Sequence, residues 1–282
     1  MAEAAGIVLA GGRSSRMGTP KAALEWHGST LLRRVAGVVA RAVDGPVVVV
    51  RAPGQALPPL PEEVEIAEDA REGRGPLQGL AAGLAAIGDR AEVAYASSTD
   101  VPLLHPRFVR RVLDAFDDDV DVVLPHVGGF PHPLAAAYRV SLLGQVERLI
   151  AEDRMRPAFL FEACRVRRLD ADALLADPAL AALDPALDSV LNLNEPDDYA
   201  AARRRPAPEV AVRRFGVLRR QAPGPDPAVV AAATLGQAAS AAGLTLDAHV
   251  VAALNGDQIT RDPEAPLVAG DTVAFLSADA GG

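Results

Sequence analysis

The chain has 282 residues, of which 50% are hydrophobic and 23% charged, with a formal net charge of -9 and one cysteine. That balance is globular, leaves room for two domains, and excludes general affinity for nucleic acid or anionic membrane. A single cysteine, Cys164, excludes an internal disulfide and fits a reducing compartment. No apolar run reaches the length of a membrane span, and no basic n-region precedes the first strand, so a cytoplasmic protein is expected.

Taken in chain order, Ile7–Ala10 reads as a buried strand. It leads into Leu9-Ala10-Gly11-Gly12-Arg13-Ser14-Ser15-Arg16-Met17-Gly18-Thr19-Pro20-Lys21. A strand, a glycine turn and basic residues suit a loop that wraps a polyphosphate, because glycine lets backbone N–H groups converge on one anion. The loop is neither a Walker loop nor the dinucleotide fingerprint, since both spacings are absent. Further strands are predicted at Val47–Arg51, Val64–Glu68, Val93–Ser97, Val120–Pro125 and Ala135–Tyr138. Helices are predicted at Leu31–Ala42, Leu77–Ile87, Pro106–Phe116 and Ser141–Glu152. This alternation predicts an α/β fold with a doubly wound, mostly parallel sheet, whose ligand sits outside the carboxyl ends of the strands. Cys164 is expected as a small apolar residue in a core, with no histidine near it in sequence to make it catalytic.

From Arg203 to Glu209 a basic run followed by alternating proline signals a linker. The boundaries expected are 1–203 for the first domain, 204–209 for the linker and 210–282 for a small α+β domain. In that second domain Val210–Phe215 reads as a strand, Ala228–Ala242 as an alanine-rich helix, and Val250–Leu254 and Val273–Leu276 as strands. The chain closes on Gly281-Gly282.

The Leu9–Lys21 loop resembles the signature of the nucleoside-triphosphate transferases, and within them most resembles the molybdenum cofactor guanylyltransferases. Four other segments carry the same resemblance: Glu68-Asp69 with Gly73-Arg74-Gly75-Pro76-Leu77-Gln78-Gly79; Thr99-Asp100-Val101-Pro102; His132-Pro133; and Asn192-Leu193-Asn194-Glu195-Pro196. The resemblance implies a Rossmann-like nucleotidyltransferase that binds GTP and Mg2+ and joins GMP to molybdopterin. Leu9, Ala10, Gly11, Gly12, Lys21, Asp69, Gly75, Pro76, Leu77 and Asp100 would then hold the nucleotide. Asp100 and Asn194 would bind the metal, a hard cation that favours oxygen ligands. Arg16 and Lys21 would neutralise phosphate charge, and His132, Asn192 and Asn194 would border the acceptor. For Asp100 the alternative is a cap on the helix after Pro106, and for Asn194 a cap on the helix at Glu195-Pro196. Arg51 stands where guanylyltransferases often have Asn, whereas His132 tilts the base toward guanine. A cytidylyltransferase, or a transferase with another acceptor, remains the alternative.

The tail resembles the small ubiquitin-like (β-grasp) sulfur carriers of molybdopterin synthesis. Val210–Phe215, Val251–Gly256, Pro266–Phe275 and the terminal Gly281-Gly282 carry that likeness. It implies a thiocarboxylate at Gly282, with Gly281 giving clearance in a narrow channel. The implied partners are an adenylating activating enzyme and the large subunit of molybdopterin synthase. The alternative is a module that only binds a partner.

Overall fold

The computed structural model describes residues 3–11, 20–69, 73–222 and 224–278. Elements are numbered in chain order. β1 (Ala4–Leu9) is followed by a short hairpin, β2 (Glu25–Trp26) and β3 (Ser29–Thr30), then α1 (Leu31–Ala40), β4 (Val47–Arg51), β5 (Val64–Glu68) and α2 (Pro76–Ile87). β6 (Val93–Ser98), α3 (Pro106–Leu113), β7 (Val122–Val127), β8 (Phe130–Pro131), β9 (Ala135–Arg139), α4 (Leu143–Ala151) and α5 (Pro157–Glu162) come next. β10 (Val166–Asp170), α6 (Ala171–Leu175), α7 (Pro178–Leu183) and α8 (Pro196–Arg203) follow. The remainder is β11 (Glu209–Arg214), α9 (Val217–Gln221), β12 (Ala228–Ala231), α10 (Leu235–Ala241), β13 (Val250–Leu254), β14 (Gln258–Thr260) and β15 (Thr272–Ser277).

The chain forms two compact units. The first comprises Met1–Leu24 and Leu31–Pro196, the second Glu25–Thr30 and Asp197–Gly282.

The first unit is built on a sheet of order β10-β7-β9-β6-β1-β4-β5, with β8 paired to β7. β6, β1, β4 and β5 run parallel, but β9 is antiparallel to both β6 and β7. The sheet is therefore mixed, though mostly parallel as expected: β10, β7, β6, β1, β4 and β5 run one way, and β8 and β9 the other. The physical reason is connection length. β7 returns through β8 directly into β9, and a link that short can only reverse the chain. The run Val47-Val48-Val49-Val50 is wholly buried, as a strand covered on both faces should be. Gly6 faces Val39 of α1, so close that an added Cβ would lie 2.4 Å from its Cγ1. The alternate residues Ile7 and Leu9 face α2. There Gly83 and Gly79 let the helix approach, an added Cβ meeting Ile7 at 2.7 Å and Leu9 at 3.0 Å. Ile7, Leu80, Leu84, Leu124, Tyr138 and Val146 belong to the core on that face. Cys164 packs against this core half-buried, and burial pushes its thiol up to about 11.

The second unit has a sheet of order β12-β11-β15-β13-β14. Its central pair, β11 and β15, is parallel, and the other neighbours are antiparallel. Val212, Leu235, Ala238, Ala252 and Phe275 form its core, with α10 packed on the sheet. The helix expected over Ala228–Ala242 divides here. Ala228–Ala231 pairs with β11, because Val229 and Val230 suit a pleated strand better than a helix. α10 starts only after Thr234, whose hydroxyl caps it by accepting from Gln237 N. Asp271, 4% exposed, ties two loops together. It accepts from Val268 N at 2.8 Å and from Asn255 Nδ2 at 2.9 Å. The β2–β3 hairpin belongs to this unit through Tyr199 Oη donating to Glu25 O, Gln237 Nε2 to His27 O and Ser29 Oγ to Glu264 Oε2. α8 groups here as well, although the sequence boundary expected at 203 leaves it with the first domain.

Candidate active site

The carboxyl ends of β1, β4, β5 and β6 lie at one edge of the sheet, because these strands are parallel. A cleft of about 350 Å³ opens there. Its walls are Leu9, Ala10 and Gly11 after β1, Val50 to Ala52 after β4, Asp69 after β5, Ser98 to Asp100 after β6, and Gly73, Gly75, Pro76 and Gly79 around the start of α2. Gly75 takes φ +92°, a region an L side chain resists, and Pro76 follows at the first helical position, where its missing N–H costs nothing. The electropositive end of α2 thus borders the cleft. Gly11 keeps its backbone close to Ala52 N, which an added Cβ would meet at 3.4 Å.

One polar cluster stands at this edge. Lys21 Nζ donates to Asp100 Oδ2 at 2.8 Å and to Asn194 Oδ1 at 3.3 Å. Ser98 Oγ donates to Asp100 Oδ1 at 2.6 Å and Asn192 Nδ2 donates to the same oxygen at 3.0 Å. The Asp100 side chain is only 14% exposed. Leu193 N donates to Asp100 O at 2.8 Å, which fastens the Asn192–Asn194 segment to the end of β6. Residues from opposite ends of the first unit therefore share one carboxylate. Asp100 does not cap α3; His105 does, its Nδ1 accepting from Arg107 N at 3.0 Å.

The cluster offers a hard cation a carboxylate and an amide oxygen, Asp100 and Asn194 Oδ1, and both already face a positive charge on Lys21. That donor set fits Mg2+, which takes one or two carboxylates and completes its shell with phosphate and water oxygens. Among the described residues no group of three or more His, Cys, Asp or Glu side chains is arranged around a common metal position. A metal here would lean on the substrate's own phosphates.

Two expected site residues are not among those that line this cleft. The Leu77 side chain is 1% exposed and belongs to the core. His132 does not line the cleft. Its ring Nε2 lies 3.2 Å from Val127 O, and the neighbouring Leu134 takes the place at the wall. Gly12, Arg16, Gly281 and Gly282 fall outside the described residues.

Other supporting residues escaped the sequence. Gln55 Nε2 donates to Ala10 O at 3.0 Å and its Oε1 accepts from Ala52 N at 2.9 Å, so it ties the β1 and β4 loops together. Arg34 is 5% exposed and its Nε donates to Pro102 O at 2.6 Å, fixing the turn after Asp100. An arginine inside the buried stripe of an amphipathic helix was the available signal for Arg34. Gln55 sits in an irregular loop and gave none.

Residues 6–168 match the family described as the MobA-like NTP transferase domain. The chain belongs to that family. As a MobA-like protein it is a nucleotidyltransferase. A probable molybdenum cofactor guanylyltransferase of Mycobacterium avium is 40% identical over 151 residues, covering 52% of this chain and 75% of the relative. The molybdenum cofactor guanylyltransferase of Desulfosudis oleivorans is 32% identical over 198 residues, covering 70% of this chain and 93% of the relative. The crystal structure of molybdopterin-guanine dinucleotide biosynthesis protein A from Archaeoglobus fulgidus superposes with a TM-score of 0.57 at 22% identity, over 71% of this chain and 96% of that one. At that identity the likeness speaks for the fold. Among the described residues no helix is long and apolar enough to cross a membrane.

Proposed function

We propose that this MobA-like transferase moves GMP from GTP onto the phosphate of molybdopterin, within molybdenum cofactor biosynthesis. An oxygen of the acceptor phosphate bonds to the α-phosphorus of GTP as the bond to pyrophosphate breaks. The nucleophile is already anionic, so no general base is required. Catalysis is positioning plus charge neutralisation. The carrying observation is the Asp100–Lys21–Asn194 cluster at the mouth of the cleft. Lys21 exchanges its bond to Asp100 for one to a phosphate. Asp100 and Asn194 would hold Mg2+, which would supply positive charge to offset the triphosphate. Asn192 holds Asp100 in orientation. In this reading Gly12 and Arg16 of the glycine loop would meet the triphosphate, and Asp69, Gly75 and Pro76, which line the cleft, would meet the nucleoside. The names borne by the M. avium and D. oleivorans relatives support guanine as the base and molybdopterin as the acceptor.

In the same reading, residues 1–203 act as the transferase, 204–209 as the linker, and 210–282 as a ubiquitin-like sulfur carrier of β-grasp type. The strand order β12-β11-β15-β13-β14, with a parallel central pair and α10 on one face, supports this. Gly282 would be adenylated by an activating enzyme and converted to a thiocarboxylate for the large subunit of molybdopterin synthase.

The test is Mg2+-dependent pyrophosphate release with molybdopterin, offering GTP, CTP and ATP in parallel. Release with GTP alone is expected, with loss in Asp100→Asn. Preference for CTP would overturn the guanine assignment; Arg51, which lines the cleft, is the residue such a result would implicate. For the tail, intact mass after co-expression with an activating enzyme is expected to show exchange of one oxygen for sulfur, abolished by deletion of Gly282. An unchanged mass leaves a module that only binds a partner.

A further inference from the structure

Phe130, 71% exposed, is the most exposed of the large apolar side chains among the described residues. A single apolar side chain on a surface needs no explanation by itself. Its setting does. Phe130 follows the tight turn between β7 and β8, where Gly128 and Gly129 take φ +62° and +84°. Glycine adopts such angles freely, and the pair makes the reversal that a two-residue hairpin requires. Nothing lies within 4 Å of where a Cβ on either glycine would project, so the tip stands clear of the fold. Its base is held firmly. Val127 pairs with Phe130 and His126 with Pro131. His132 N donates to Pro125 O at 2.9 Å, and its ring Nε2 lies 3.2 Å from Val127 O. The hydroxyl of the buried Tyr138 donates to Pro133 O at 2.7 Å.

The topology sets this hairpin beside the reacting centre. Ala135, first residue of β9, is in register with Ser97 of β6, three residues before Asp100. The segment running back from Ala135 through Leu134 to Phe130 therefore continues past the same sheet edge. Leu134 already lines the cleft. β1, β4 and β5, whose ends shape the nucleotide's part of the cleft, lie on the other side of β6. Asp100 thus divides the edge into a nucleotide side and a second side, and the second side presents a phenyl ring to solvent on a hydrogen-bonded hairpin.

We infer that Phe130 is the stacking platform for the fused aromatic ring of the acceptor, and so a specificity-determining residue on its side of Asp100. The inference rests on the guanylyltransferase reading, in which the acceptor is a pterin ending in a phosphate. With that phosphate at the cluster, the ring extends away from the nucleotide. A planar heterocycle gains most from an aromatic face that is already fixed and solvent-facing.

The test uses the full chain and the variants Phe130→Ala and Phe130→Trp. Acceptor KM is expected to rise about 10-fold in Phe130→Ala, as for loss of one stacked base, and to recover in Phe130→Trp. GTP KM, and kcat at saturating acceptor, stay at the wild-type value; a merely structural role would move these too. In Phe130→Trp the emission of the introduced indole, measured against the wild-type background from buried Trp26, is expected to be quenched by a pterin phosphate without GTP. An unchanged acceptor KM in Phe130→Ala, or no quenching in Phe130→Trp, overturns the inference. Wild-type chain that releases no pyrophosphate with molybdopterin sinks the reaction assignment instead, and the quenching measurement then still decides the platform.

Discussion

Two little-exposed aspartates, Asp100 of the first unit and Asp271 of the second, sit at the end of a strand and in the loop before one, and they do opposite things. Asp271 accepts from a main-chain amide, Val268 N, and from Asn255, whose own Oδ1 is taken by Thr272 N at 2.9 Å. These donors belong to the loop itself and have nowhere else to go. Asp100 accepts from Lys21, Ser98 and Asn192, all of them side chains able to turn toward a ligand. Burial alone does not separate a staple from a site. The donors do: fixed amides make a structural knot, whereas movable cations and hydroxyls make a place where something else can bind.

Substitutions can break that contrast. Asp100→Asn is expected to lower kcat of nucleotidyl transfer by on the order of 10²-fold with little change in thermal midpoint, as for removal of a preorganised charged partner. Loss of folding instead would make Asp100 a second staple. Asp271→Ala should do the reverse. It strands buried donors, so the second unit should lose about 2 kcal/mol in denaturant unfolding while turnover holds. Gly83→Ala tests whether the floor of the first unit is as tightly set as its geometry says. An added methyl 2.7 Å from Ile7 should cost about 1–3 kcal/mol of stability by overpacking. Asn192→Ala, which removes one of Asp100's donors, sharpens the comparison further, with an expected loss near 10-fold in kcat/KM and a normal melting curve. The smallest effect is at Cys164. With burial holding its thiol near pKa 11, labelling by iodoacetamide at pH 8 should be slow in the native chain and fast after unfolding.

Much of the first unit was legible because its signals are local. Buried valine runs, the glycine loop, and Asp100 between a strand and Pro102 all announce themselves within a few residues. That Lys21, Asp100, Asn192 and Asn194 meet followed from resemblance and from the rule that ligands gather at carboxyl strand ends. The direction of β9 did not, since an Ala-Ala-Ala-Tyr strand pairs equally well either way and only the short return from β7 decides. That the Leu77 side chain packs in the core is set by its phase in the helix, which the motif around it does not show. Ala228–Ala242 misled because alanine's helix preference outweighed two valines in a sum over the window, whereas strand pairing with β11 settles the first four positions. Gln55 reaches across 45 residues, a distance over which composition carries no signal, whereas Arg34, reaching across 68, was marked only by its place in an apolar helix stripe.

The hairpin at residues 25–30 has a consequence for how the protein is made. It leaves the ribosome early, but Tyr199, Gln237 and Glu264, which hold it, lie 174, 210 and 235 residues further on from their partners. At roughly 5–20 residues per second, Ser29 waits on the order of 10–50 s for Glu264 to be synthesised. For most of that interval, until Tyr199 is made, Trp26, 3% exposed in the finished molecule, has no Tyr199 to pack beside it. Trp26 thus waits for a ring partner made much later in the chain. Slower translation lengthens its exposure to chaperones and to neighbouring chains.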